Sequence, residues 1–203
     1  MEQLGKELGN MSNYYKHDSS IVSVSAVIET GVKIWHFCHV MDNTFIGENT
    51  VIGQNVFVAS TAVVGDGCKI QNNVSLYEGV ELEDYVFCGP SMVFTNIRLP
   101  RSEYPQKGSL HYEKTLVKKS ASIGANSTII CGATIGEYSL IGSGSMVTKN
   151  VPAFSLVFGN PAKVIGWVSK TGERLIFDET GIARCKKSDE IYQKINNLVS
   201  IVE

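Results

Sequence analysis

An apolar residue returns at every sixth position from Val22 to Phe94, and neither an ordinary helix nor a two-faced strand has that period. The series is Val22, Ile28, Ile34, Val40, Ile46, Ile52, Val58, Val64, Ile70, Leu76, Leu82, Cys88 and Phe94. The fourth residue after each is small or apolar, as at Ala26, Cys38, Thr50, Ala62 and Val74. A short strand, a corner and another short strand satisfy this spacing. The aliphatic side chain fills the interior, the small one fits the tight space, and Gly or Asn permits the bend. Three such sides close a triangular coil of 18 residues, and successive coils stack by parallel ladder bonds about 4.8 Å apart. The expected fold is therefore an all-β solenoid whose coils mainly contact their neighbours.

The rhythm stops after Phe94 and resumes out of phase at Val117, continuing through Ile123, Ile129, Ile135, Ile141 and Val147. These breaks divide the chain into an N-terminal extension (1–13), a solenoid (14–151) with an excursion at 95–116, and a C-terminal segment (152–203). Within that last segment, PAFSLVFGNPAKVIGWV reads as an irregular wrap. Residues 188–201 read as a short helix capped by Ser188, with Ile191, Ile195, Leu198 and Val199 as its stripe. A long polar excursion from a regular coil points to function, a tolerated insertion being the plain alternative.

Reading every eighteenth residue lines up columns. One corner carries His36, Gln54, Asn72 and Pro90, followed by Phe37, Asn55, Asn73 and Ser91. Such amides either form a ladder that satisfies corner backbone groups or line a polar groove for a hydrogen-bonding ligand, and both readings stay open. The excursion is expected just beyond this edge. It offers Arg98, Arg101, Tyr104, Lys107 and His111, and arginine suits phosphate or carboxylate. The later coils are rich in small residues, Gly132, Gly136, Gly142, Ser143, Gly144 and Ser145, which either let a long thin ligand approach the backbone or serve plain corner chemistry.

Bulk properties narrow the partners. A formal net charge of −2 gives no general attraction to nucleic acid or an anionic membrane. No apolar run approaches the roughly 18 residues of a membrane span, and the N-terminus lacks the pattern of a secretory signal. Cys38, Cys68, Cys88, Cys131 and Cys185 form no CxxC pair or zinc-type spacing, so buried thiols in a reducing cytoplasm are expected.

These features resemble the left-handed parallel β-helix acyltransferases, the hexapeptide-repeat family, and the stretch VTKNVPAFSLVFGNPAKVIGW resembles that family's C-terminal acyl-coenzyme A signature. KIWHFCHV, KIQNNVSLYEGVELEDYVFCGPSMVFTN, PRSEY and TLVKKSASIGAN are similar to bacterial nucleotide-sugar 3-amino N-acetyltransferases. The resemblance implies acetyl-CoA as co-substrate, no metal, and a homotrimer with active sites between subunits. It also implies UDP-2-acetamido-3-amino-2,3-dideoxyglucuronate as acceptor on the way to surface polysaccharide (O-antigen), with dTDP-3-amino-3,6-dideoxyhexoses as the alternative. Carried over by motif, Asn96 sits beside the reacting groups. Gly124, Gly142 and Ser143 lie along pantetheine, and Asn160 and Lys163 near the coenzyme's nucleotide end. Gln54, Asn72, Asn73 and Arg101 face the sugar nucleotide. His36, one of four histidines with His17, His39 and His111, is the candidate general base. Two rivals are a zinc carbonic anhydrase on the same solenoid, for which no third histidine stands at the needed place, and a non-catalytic scaffold.

Overall fold

A computed structural model describes residues 13–106 and 108–202. The chain forms a parallel solenoid with three faces. The first face stacks Tyr15–Lys16, Lys33–Ile34, Val51–Ile52, Lys69–Ile70, Phe87–Cys88, Ser122–Ile123 and Leu140–Ile141. The second stacks Ile21–Val22, His39–Val40, Phe57–Val58, Ser75–Leu76, Val93–Phe94, Thr128–Ile129 and Met146–Val147. The third stacks Val27–Ile28, Phe45–Ile46, Val63–Val64, Val80–Leu82, Thr115–Val117 and Thr134–Ile135.

The period of six follows directly. From Lys33–Ile34 onward each two-residue strand turns its second residue inward, and Ile34, Ile46, Ile52, Val58, Val64 and Leu76 are fully buried. Each such aliphatic side chain contributes roughly 1.5–3 kcal/mol relative to exposure. The corners are made by residues with positive φ, including Asn55, Asn73 and Asn126 between the first and second faces. Asn tolerates this conformation better than most residues because its short side chain bonds locally. Thr50 serves an interior corner position: its hydroxyl donates to Gly65 O at 2.8 Å and accepts from Cys68 N at 3.0 Å.

Lys33 pairs with Val51, one coil of 18 residues on, whereas Phe87 pairs with Ser122, 35 residues on. The fifth coil is thus 17 residues longer than its neighbours. Seventeen is not a multiple of six, which is why the rhythm resumes out of phase. The solenoid re-forms at Thr115, whose N–H donates to Gly79 O at 2.9 Å. Of the excursion residues singled out in the sequence, Lys107 lies outside the described residues, as does most of the 1–13 extension.

The C-terminal segment departs from the sequence reading in two ways. The expected irregular wrap is an antiparallel pair, Ser155–Gly159 with Ala162–Trp167, continuing the first face. The expected helix at 188–201 is a second antiparallel pair, Ile191–Ile195 with Leu198–Val202, to which Ile182–Arg184 adds a third strand. Asn196 and Asn197 have φ of 49° and 59°, the conformation of a two-residue hairpin turn. The apolar stripe at Ile191, Ile195, Leu198 and Val199 is compatible with helical spacing, but the Asn-Asn turn and the β-branched residues decide for strands. Ser188 caps nothing; its hydroxyl bonds Glu190 at 3.0 Å.

This module has its own core of Phe154, Trp167, Leu175, Ala183, Cys185, Tyr192 and Val199. Tyr138 stacks on Phe154 with centroids 5.2 Å apart, joining the module to the last coils. The buried Tyr192 hydroxyl accepts from Lys170 N at 3.0 Å and donates to Glu190 at 2.8 Å. Burial first, then the hydrogen bond to Glu190 and its charge, push this phenol up to about 12. Among the described residues no helix is long and apolar enough to cross a membrane.

Candidate functional site

The corner between the first and second faces carries most of the residues chosen from the sequence. His36 stacks on His17 one coil below, with centroids 3.5 Å apart and ring planes at 29°. Next along the corner, Gln54 N donates to the Asn72 side-chain oxygen at 2.9 Å, and the Asn55 side-chain nitrogen donates to Asn73 at 3.0 Å. The amide column is therefore a ladder between coils. Gln54, Asn72 and Asn73 also remain exposed on the outside of that ladder.

Further along the same corner, Gly124, Gly142 and Ser143 converge with the tip of the Ser155–Gly159 hairpin. Gly159 N donates to the Ser145 hydroxyl at 3.2 Å. Packing between coils explains the glycine at 124, since a Cβ there would stand 2.5 Å from Ser143 N. A Cβ at 142 would meet the Phe158 ring at 2.5 Å. Ser143, Asn160 and Lys163 are exposed, the last two at and just beyond the hairpin tip.

The excursion does not leave beside this corner. It leaves at the next one, between the second and third faces, after Val93–Phe94. Asn96 and Arg101 therefore stand across the second face from His36, Gln54, Asn72, Asn73, Gly124, Gly142 and Ser143. His36 and Gly124 lie four coils apart, roughly 19 Å at ~4.8 Å per coil. Arg101 is exposed, with Nη1 donating to Pro100 O at 2.8 Å.

The foot of the excursion is firmly held. Cys131 N donates to the Thr95 hydroxyl at 3.0 Å, and Glu113 N donates to Asn96 O at 3.0 Å. Asn96 is half-buried, and its side-chain amide makes no hydrogen bond to another described residue. Arg98 and Glu113 form an ion pair, with Nε 2.8 Å from Oε1 and Nη2 2.7 Å from Oε2. The Arg98 hydrogen bond, more than its charge, holds the Glu113 carboxyl below the usual carboxylate range, and Glu113 in turn raises the guanidinium. The sign follows. The pair is complete above the ordinary glutamate value and is lost only as pH falls through the lowered one.

Sequence reasoning missed Glu113 and an adjoining cavity. A concavity of about 330 Å³ opens where the returning limb, Tyr112 and Lys114, faces Thr61, Val63, Glu78 and Glu81. No periodic signal marks Tyr112, Glu113 and Lys114, since the limb lies outside the repeat. Among the described residues no three His, Cys, Asp or Glu side chains are grouped to hold a metal ion. The five cysteines are buried. Burial pushes the Cys68 thiol up to about 11, and raises Cys38 and Cys88 as well, so these thiols stay protonated.

Comparison with known proteins fits this geometry. The model of the bacterial transferase hexapeptide (six repeats) matches residues 25–60 and 114–149, and that of the hexapeptide repeat of succinyl-transferase matches 43–78. A dTDP-3-amino-3,6-dideoxy-alpha-D-galactopyranose 3-N-acetyltransferase from Aneurinibacillus thermoaerophilus is 42% identical over 90 residues, 44% of this chain and 45% of that protein. A serine acetyltransferase from Bacillus subtilis is 32% identical over 103 residues, 51% of this chain and 38% of the other. The chain thus spans less than half the length of either curated relative. A hexapeptide-repeat acetyltransferase from Vibrio cholerae, solved with acetyl coenzyme A, superposes with a TM-score of 0.54 at 26% identity, covering 61% of this chain and 70% of that one. The matched repeats fall on coils of the solenoid on either side of the excursion, and over them the chain is similar to bacterial hexapeptide-repeat transferases and has the fold of a left-handed parallel β-helix.

Proposed function

We propose that the protein transfers an acetyl group from acetyl-CoA to the 3-amino group of a nucleotide-linked amino sugar. The observation that carries this reading is Asn96: its backbone is tied down on both sides, yet its half-buried amide is unused among the described residues. A polar group held in place without an internal partner is available to a reactant. Coenzyme A would lie along Gly124, Gly142, Ser143, Asn160 and Lys163, where exposed backbone and a hairpin tip meet. Gln54, Asn72, Asn73 and Arg101 would contact the nucleotide sugar.

The step needs no activated hydroxyl. A neutral sugar amine attacks the thioester carbonyl; the C–N bond forms, the C–S bond breaks, and the departing sulfur takes the proton released by nitrogen. The enzyme's contribution is to hold two substrates together and donate to the developing oxyanion. His36, on the same corner four coils from Gly124, would contact the acceptor or serve as the candidate base for its amine.

The split of the site across the second face supports the homotrimer. Asn96 of one chain would then meet the coenzyme corner of a neighbour. Mixing the separately inactive variants Asn96→Ala and Ser143→Trp should regenerate activity in mixed trimers. Absence of any recovery, with trimers demonstrably exchanging, places the whole site on one chain.

Two acceptors compete. The resemblance of its motifs implies UDP-2-acetamido-3-amino-2,3-dideoxyglucuronate and with it O-antigen synthesis in the cytoplasm. The 42%-identical relative acts, by its name, on a dTDP-3-amino-3,6-dideoxyhexose, which favours that acceptor here. Coenzyme A release measured with both purified sugars decides between them, and no release with either ends the reading. With the preferred sugar, Arg101→Ala should raise the acceptor KM and leave the acetyl-CoA KM unchanged. An unaltered acceptor KM removes Arg101 from the site.

A further inference from the structure

We infer that Arg98 and Glu113 are positioning residues that clamp the foot of the excursion to the following coil and thereby hold the Asn96 amide in one place for acetyl transfer. The inference rests on the reading of Asn96 given above. Three segments meet in the clamp. Arg98 Nε donates to Glu113 at 2.8 and 3.1 Å, and Nη2 donates at 2.7 Å, a two-pronged arrangement that fixes orientation as well as distance. The same Nη2 donates to Cys131 O at 2.8 Å, which ties the excursion to the corner of the next coil. Glu113 contributes a second time, because its own N–H donates to Asn96 O at 3.0 Å.

The seat for this clamp exists because residue 132 lacks a side chain. Gly132 has φ of +85°, and a Cβ there would fall 2.5 Å from Glu113 Oε2 and 2.8 Å from Arg98 Nη2. Beyond the clamp the excursion carries Leu99, Tyr104 and Leu110 at 69%, 72% and 97% exposure, so its outer part leans little on the coils. The foot is thus where its placement is decided. A solvent-facing ion pair adds little to global stability, so a purely stabilising role does not account for this convergence.

The test compares Glu113→Gln, Gly132→Ala and the exchanged pair Arg98→Glu with Glu113→Arg against the full-length wild type. Amide hydrogen exchange of residues 96–113 and steady-state kinetics with acetyl-CoA and the better of the two amino sugars are read together. The single variants should exchange faster at the Glu113 amide and lose about 10- to 100-fold in kcat, the scale of a misplaced catalytic group. Their acetyl-CoA KM should stay near wild type, the thermal midpoint should be unchanged in Glu113→Gln and lowered in Gly132→Ala, whose backbone at φ +85° strains any side chain, and the exchanged pair should recover part of kcat. Unchanged exchange overturns the clamp. Faster exchange with an unchanged kcat overturns the positioning role. A wild type inactive toward every amino sugar sinks the functional reading itself, whereas an active wild type with indifferent variants sinks only this inference.

Discussion

Asn96→Ala is expected to lower kcat by roughly 10²- to 10³-fold, the usual cost of deleting one donor to a developing oxyanion. Binding of acetyl-CoA and the assembly of the solenoid should be untouched. Both expectations come from the same geometry. The backbone of residue 96 is held through its carbonyl, by Glu113 N at 3.0 Å, so the side chain can be removed without loosening the foot of the excursion. The amide itself bonds to no other described residue, so its loss breaks no hydrogen bond among them. Calorimetric titration with acetyl-CoA and a stopped turnover assay separate these effects. Near-normal turnover would falsify the assignment of Asn96 to the reacting centre. Loss of both turnover and fold would assign it to structure instead.

Phe94→Ala should give the largest loss of stability, about 3–5 kcal/mol. Phe94 is fully buried, the last inward residue before the excursion, and its strand pairs with Thr128–Ile129 on the next coil. No neighbour can move in to refill the space, because each coil is held in register above and below. Val93→Ala, one residue away and 46% exposed, is the matched control and should change stability by less than about 0.5 kcal/mol. Urea unfolding of the two variants provides the comparison. Similar midpoints would mean that the inward column is not what holds the coils together.

The solenoid was legible because one rule, an inward residue every sixth place, is repeated and is enforced by strand and corner geometry alike. Columns such as Gln54, Asn72 and Asn73 were legible for the same reason: stacking converts a spacing of 18 into contact. Three things were not. The excursion leaves from the corner after the one chosen, because Phe94 and Thr95 are adjacent in sequence to the amide column yet a strand away in space. Glu113 meets Arg98 across 15 residues that obey no period, so nothing local announces the pair. The C-terminal hairpin was misread because Ile191, Ile195, Leu198 and Val199 satisfy a helical stripe, while the Asn196-Asn197 turn carried the stronger signal.

Coils that repeat every 18 residues make the length of this molecule adjustable in whole steps. Deleting one complete turn, for instance from Gly53 to Ile70, would leave every remaining corner aligned and shorten the track between the acceptor end and the thiol-carrier end by about 4.8 Å. Deleting any other number from within the regular coils, where no excursion absorbs the difference, would rotate one half against the other. The scaffold is in that sense a gauge block: reach can be reset between relatives without redesigning either end.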